Sequence, residues 1–184
     1  MNPYIIQTVG FIGFILLVVH FQINNRSKIL ILKMFASFAF ALHFFLLGAL
    51  TGSLMNLFAG FRSIVFKYRT TYKWANNKFW LFLFIGIFIF FGIISWEGIH
   101  SLFAMTGMIF GTIAYWSKNP KNIRIITLFG AGLWFMHNFI VKSYAGILTD
   151  SFVFISALIG IYRFDMKKEK VRIEDSQANP STLE

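Results

Sequence analysis

Four polar residues stand at paired positions in an otherwise apolar chain. His43 and His137 are 94 residues apart, and so are Asn56 and Asp150. Burying such groups in hydrocarbon is expensive, so each marks either an interhelical hydrogen bond or a site for a solute. Each pair lies at matched depth. The histidines sit about two turns from one end of their apolar stretches, and Asn56 and Asp150 little more than a turn in from the same side. They are thus expected to form a ring of four about a shared centre. Trp134 lies one turn from His137 on the same helical face, Asn138 adjoins that histidine, and Arg62 lies deeper. The candidate solute-binding set is therefore His43, Asn56, Arg62, Trp134, His137, Asn138 and Asp150. Two readings of the histidines stay open. Either they line a solute pocket, or His43 bonds Asn56 across its own tight hairpin and His137 does likewise with Asp150, as glue worth ~0.6 kcal/mol per bond. An ionised Asp150 among Phe, Ile and Leu needs a cation, water or a substrate beside it. Arg62 is either that cation or a side chain directed toward the cytoplasm. Lys33 is expected to snorkel toward the interface, and His20 and His100, which have no paired counterpart, to be interfacial.

Other chemistries are excluded by what accompanies these residues. There is no cysteine, hence no disulfide and no thiolate chemistry. Two histidines and one aspartate with no i, i+3 or i, i+4 ligand pair do not read as a metal site. No glycine-rich nucleotide loop, no Ser/His/Asp order and no paired carboxylates occur, so no catalytic residue, no enzyme activity and no cofactor are expected. Gly107 and Gly111 form a GxxxG, which in a membrane helix reads as close packing. The net charge of +10 does not indicate nucleic acid, because the cations gather at the ends of apolar stretches.

The elements that must position this set follow from hydropathy. Of 184 residues 57% are hydrophobic and 25 are Phe, more than a soluble core of this size can bury. Trp80 to Trp96 carries no charge, amide or histidine and is long enough to cross a bilayer. It reads as the fourth of seven spans, roughly 3–20, 29–50, 52–68, 80–96, 99–116, 122–142 and 145–163, followed by a polar tail. Fourteen of the 17 Lys and Arg fall in the 1–2, 3–4 and 5–6 loops and the C-terminal segment, whereas only Lys142 falls on the other side. The positive-inside rule then puts the N-terminus outside and the C-terminus in the cytoplasm.

A shift of 94 residues aligns the two ends of the chain without a gap. Gly13 meets Gly107, Asn25 meets Asn119, His43 meets His137, Gly52 meets Gly146, and Tyr68-Arg69 meets Tyr162-Arg163. Apolar matches are cheap in such a sequence, but these share one register and indicate a parallel tandem repeat. The expected fold is all-α: seven transmembrane helices as two parallel three-helix bundles joined by a linker helix, a 3+1+3 order. Residues 1–69 would form the first bundle, 70–97 the cytoplasmic loop and linker helix, 98–164 the second bundle and 165–184 a cytoplasmic tail.

The run Leu42 to Phe66, LHFFLLGALTGSLMNLFAGFRSIVF, together with Trp134 to Phe154, WFMHNFIVKSYAGILTDSFVF, resembles the YgjV family of bacterial inner-membrane proteins. That resemblance implies an inner-membrane location and brings no substrate. More distantly, the 3+1+3 layout is similar to SWEET sugar transporters, PQ-loop proteins and nicotinamide-riboside permeases. The chain departs from the PQ-loop pattern, since its prolines are Pro3, Pro120 and Pro180 and no Pro-Gln pair occurs. The expected function is a small-solute transporter or facilitator whose partners are the lipid bilayer and a small polar solute. The alternative is a non-transporting membrane accessory or assembly protein. Self-association into a homo-oligomer is compatible with the sequence, and no feature demands it.

Overall fold

The computed structural model describes residues 3–21, 26–117 and 120–162. Among these the chain forms seven α-helices and no strand: α1 Pro3–Phe21, α2 Arg26–Leu46, α3 Leu50–Tyr68, α4 Phe79–Ile94, α5 Ile99–Trp116, α6 Pro120–Ile140 and α7 Tyr144–Gly160. A single 3₁₀ turn, Trp74–Asn76, precedes α4. The polar tail 165–184, the Asn25–Asn119 match, Arg163 and the side chain of His20 lie outside the described residues.

Among the described residues one helix, α5, is both long and apolar enough to cross a membrane by length and composition. Shorter apolar stretches are Pro3–Val19, Leu30–Leu46, Phe79–Ile94 and Tyr144–Gly160. The distribution of side chains matters more than length here. Phe82 and Phe139 are each 66% exposed, while His43, Thr51, Ser101, Thr112 and His137 are fully buried. Water selects the opposite distribution, so this surface is adapted to an apolar surrounding.

The packed helix pairs run α1–α2–α3–α5–α6–α7 and back to α1, a closed ring of six. α4 stands outside it, against α3 and α5. The reason is visible in α4 itself, where only Phe84, Phe88 and Gly92 are buried. These three lie at i, i+4 and i+8, a single stripe that can contact one seam of the ring.

Two reversals at one face of the ring share a geometry. After α2, Ala49 N donates to Phe44 O and Gly48 N to Phe45 O, with Gly48 at φ +79°. After α6, Ser143 N donates to Asn138 O and Lys142 N to Phe139 O, with Lys142 at φ +57°. Both are Schellman caps, in which the left-handed residue satisfies carbonyls the helix leaves open. This is why α2 and α6 end at Leu46 and Ile140, short of the 50 and 142 expected from hydropathy. Leu47, Leu50 and Val141 continue the apolar run, but the hydrogen-bond pattern has already turned. The left-handed conformation suits Gly48 and strains Lys142, whose Cβ crowds the following carbonyl. Lys142→Gly should therefore raise stability by about 1 kcal/mol and Gly48→Ala lower it by a similar amount, read from reversible unfolding in mixed micelles. A destabilised Lys142→Gly variant would contradict this account of the turn.

Candidate functional site

Inside the ring lies a cavity of about 130 Å³. All six ring helices line it and α4 does not. α2 contributes Lys33, Ser37, Phe40 and Phe44, a stripe at i, i+4, i+7 and i+11. α6 contributes Thr127, Ala131, Trp134 and Asn138 at the same spacing, each 94 residues beyond its α2 counterpart. Leu17 with Gly111, Asn56 with Asp150, and Ala59 with Val153 bring the pairs with both members on the wall to seven. In none of the seven pairs are the two residues the same.

Five of the seven residues singled out from sequence line this cavity: Asn56, Arg62, Trp134, Asn138 and Asp150. His43 and His137 do not; they bind the wall together from behind. His43 Nδ1 bonds Ile6 O at 2.8 Å and His137 Nδ1 bonds His100 O at 2.9 Å. A carbonyl only accepts, so in both rings Nδ1 carries the proton and donates. The two bonds are again 94 residues apart at both ends. They tie α2 to α1 and α6 to α5, rather than joining either histidine to Asn56 or Asp150.

The second ring nitrogens differ. His43 Nε2 lies 2.8 Å from Ser143 Oγ, and that oxygen also accepts from Gly146 N as the cap of α7. With Nδ1 protonated in the neutral imidazole, Nε2 accepts and the serine hydroxyl donates. The counterpart of Ser143 is Ala49, which has no hydroxyl, and His137 Nε2 is buried without a partner. Close packing there depends on glycine, since a Cβ on Gly52 would come within 2.7 Å of that nitrogen. Phe44 fills the space between the imidazoles, its ring centroid 5.3 Å from His43 and 5.5 Å from His137.

The charged residues of the wall are placed unequally. Asn138 Nδ2 donates to Asp150 Oδ2 at 2.6 Å. The counterpart of Asn138 is Phe44, which cannot donate, so Asn56 Nδ2 turns to Gly52 O of its own helix at 3.0 Å. Arg62 is 2% exposed and does not pair with Asp150. Its Nη1 donates to Thr112 Oγ1 at 2.5 Å and to Met108 O at 3.4 Å, and its Cζ lies 5.3 Å from the Tyr115 ring and 5.5 Å from Phe88. Six residues separate it from Asn56 along α3, about 9 Å of axial depth. Lys33 does not leave for the interface as expected from sequence. It lines the cavity with Nζ 5.2 Å from the same Tyr115 ring. Its signal was the stripe it shares with Phe40 and Phe44. Likewise, the 94-residue shift applied to Trp134 and Asn138 points to Phe40 and Phe44. His100, at the start of α5, is half-buried against His137, with ring centroids 5.5 Å apart. Among the described residues no group of three or more His, Asp or Glu could hold a metal.

The face bearing the histidines is further closed by hydrogen bonds between elements. Glu97, in the α4–α5 turn, accepts from Leu50 N at 3.1 Å and Thr51 N at 3.4 Å, which caps α3. Thr51 donates to Ser95 O and lies 2.9 Å from Ser101 Oγ, and Gln7 Nε2 donates to Lys142 O at 3.1 Å.

An apolar exterior, a polar interior and one small cavity reached by six helices describe a helical membrane protein. Residues 4–168 match the Imp-YgjV family, bacterial inner membrane proteins, and the chain belongs to that family. Among curated proteins and among solved structures, none matches the chain.

The orphan nitrogen of His137 is testable. Ala49→Ser supplies the missing hydroxyl and should stabilise the protein by about 0.5–1.5 kcal/mol, whereas Ser143→Ala should cost at least about 1 kcal/mol because both the imidazole and the α7 cap lose a partner. Unfolding in mixed micelles measures both. If Ala49→Ser lowered stability, the two turns would not be equivalent environments.

Proposed function

We propose that this chain is a small-solute transporter or facilitator of the bacterial inner membrane. In this reading all seven helices cross the membrane, in 3+1+3 order. α1–α3 and α5–α7 are parallel duplicates related by a pseudo-two-fold axis along the membrane normal, and α4 restores the orientation of the second half. The N-terminus lies outside and the C-terminus in the cytoplasm, from the bias of the cations. Lipid surrounds the ring, a small polar solute occupies the cavity, and no bond is made or broken.

The observation that carries the reading is the cavity wall, in which seven pairs of residues related by one sequence shift meet around one space. Transporters built from internal repeats hold their substrate at the interface of the repeats, near mid-membrane. The volume suits a small molecule, since a comparable cavity of about 150 Å³ accommodates benzene. Further support comes from contacts that recur at the same shift. Gly13 receives the Phe40 ring and Gly107 the Trp134 ring, with an added Cβ within 2.9 and 2.8 Å respectively. α1 packs on α7 as α5 packs on α3. Two like halves meeting along two like seams can rock about them.

The test is solute release from liposomes containing the purified protein and loaded with a mixture of small polar metabolites, read by mass spectrometry. Ser37→Trp, which fills the cavity, should reduce release to that of protein-free liposomes. Phe82→Leu on the outer surface of α4 should leave it unchanged. Release by neither the native protein nor the control, with a stoichiometric partner recovered on purification, would favour an accessory or assembly role instead.

A further inference from the structure

We propose that the cavity binds a zwitterion of amino-acid size, its carboxylate held by Arg62 and Lys33 and its ammonium by Asp150. The inference rests on the transport reading and specifies its substrate class.

The first observation is the inequality of the wall. A symmetric occupant, such as a bare ion, needs no difference between the two halves, yet every pair with both members on the wall differs in residue. A molecule with unlike ends requires that difference. The second is the placement of charge. Lys33 and Arg62 both stand over the Tyr115 ring, at 5.2 and 5.3 Å from its centroid. Lys33 interacts electrostatically with Asp150, whereas Arg62 has no carboxylate partner among the described residues and its Nε and Nη2 groups have no protein hydrogen bond there. Two cations around one ring in a water-poor space attract an oxyanion, which the guanidinium fork can hold through two N–H groups.

The third observation is at the other end. Asp150 supplies the acceptor there, one of its oxygens being held by Asn138 Nδ2. The Asn138 amide must turn its Nδ2 toward Asp150 Oδ2, because two facing oxygens would repel. Its Oδ1 is thereby left buried without a partner in a side chain 2% exposed. A carboxylate on the cavity wall suits an ammonium, which has three donors and no acceptor. The Asn56–Arg62 offset along α3 separates those two backbone positions by about 9 Å in depth, and the Trp134 and Phe40 rings line the same cavity.

The absence of native cysteine allows a direct test. Gly111 lines the cavity with nothing within 4 Å of where a side chain would begin, so Gly111→Cys places a thiol in the empty space. Labelling of that thiol by a charged methanethiosulfonate is measured in liposomes. L-alanine and L-proline (zwitterions), propionate, ethylammonium and erythritol are tested as protectants. The two zwitterions should slow labelling by about fivefold or more at saturation, with the other three weaker. Arg62→Gln should abolish zwitterion protection while keeping that of ethylammonium, and Arg62→Lys, which keeps the charge and loses the fork, should weaken it less than Arg62→Gln. Asp150→Asn should lose zwitterion protection and keep that of propionate. Protection by erythritol equal to that of L-alanine, or zwitterion protection unchanged in both charge-removing variants, would overturn the zwitterion while leaving a solute cavity standing. A thiol that labels in no condition would mean the cavity is closed to water-borne solutes, and would sink the transport reading together with this one.

Discussion

The interaction on which the rest of this structure depends is the imidazole–carbonyl bond behind the cavity wall. In a helical hairpin surrounded by hydrocarbon, apolar side chains gain nothing by leaving lipid for each other. Alignment of the two helices then rests on packing and on a few directed polar bonds. His43 and His137 supply those bonds, each donating Nδ1–H to a carbonyl in the first turns of the neighbouring helix. The bond fixes both the rotation of α2 against α1 and its height, and the same is true of α6 against α5. Once rotation is set, the stripe one residue further round the helix must face inward. Phe44 follows His43 and Asn138 follows His137, and both line the cavity. The histidines are thus buried polar residues held in bonds between helices, while the residues beside them line the cavity.

From this frame the division between like and unlike residues becomes intelligible. Positions that set backbone distances are the same in both halves: Gly13 and Gly107, Gly52 and Gly146, His43 and His137. Each of these glycines lies where a side chain would strike an aromatic ring, an amide or an imidazole. The seven pairs with both members on the wall are unlike throughout. The exception among the framework positions is the pair Ser143 and Ala49, where one hydroxyl joins the halves and its counterpart leaves His137 Nε2 bare. On the α1–α7 side the halves are joined by the His43–Ser143 bond and the Gln7 bond to the Lys142 carbonyl. At the other seam the work is done by Glu97 and Thr51 with the α4–α5 turn.

Much of this was legible in the amino-acid sequence, and the failures share a cause. Hydropathy finds the seven helices because apolar runs and turns are local properties. It overruns the ends of α2 and α6 because Leu47, Leu50 and Val141 are as apolar as the helices they follow, and a Schellman cap is a matter of hydrogen-bond geometry. The five wall residues Asn56, Arg62, Trp134, Asn138 and Asp150 were visible because polar groups among Phe and Leu demand a reason. His43 and His137 satisfied the same criterion for a different one, since depth along a helix does not say which way a side chain faces. Lys33 was misread on the same ground. A lysine seven residues into α2 can reach the interface or turn inward, and the stripe through Ser37, Phe40 and Phe44 decides between them. The expected Arg62–Asp150 pair failed because helical depth separates the two groups and Thr112, Met108 and two aromatic rings satisfy the guanidinium locally.

Keeping those charges apart has a consequence for how such a cavity works. A direct Arg62–Asp150 bond would fill the space with its own ion pair, and any occupant would first have to break it. Here Asp150 is held from one side by Asn138, and Arg62 rests on a threonine hydroxyl, a carbonyl and aromatic faces. Each retains unsatisfied capacity toward the cavity. Neutral or π partners stabilise a buried charge less than an opposite charge does. In the proposed reading both ends thus hold a residual attraction that a molecule bearing the complementary groups would use. The framework bonds of the histidines fix the rotation of the helices that carry the wall, and with it the places from which each end would act.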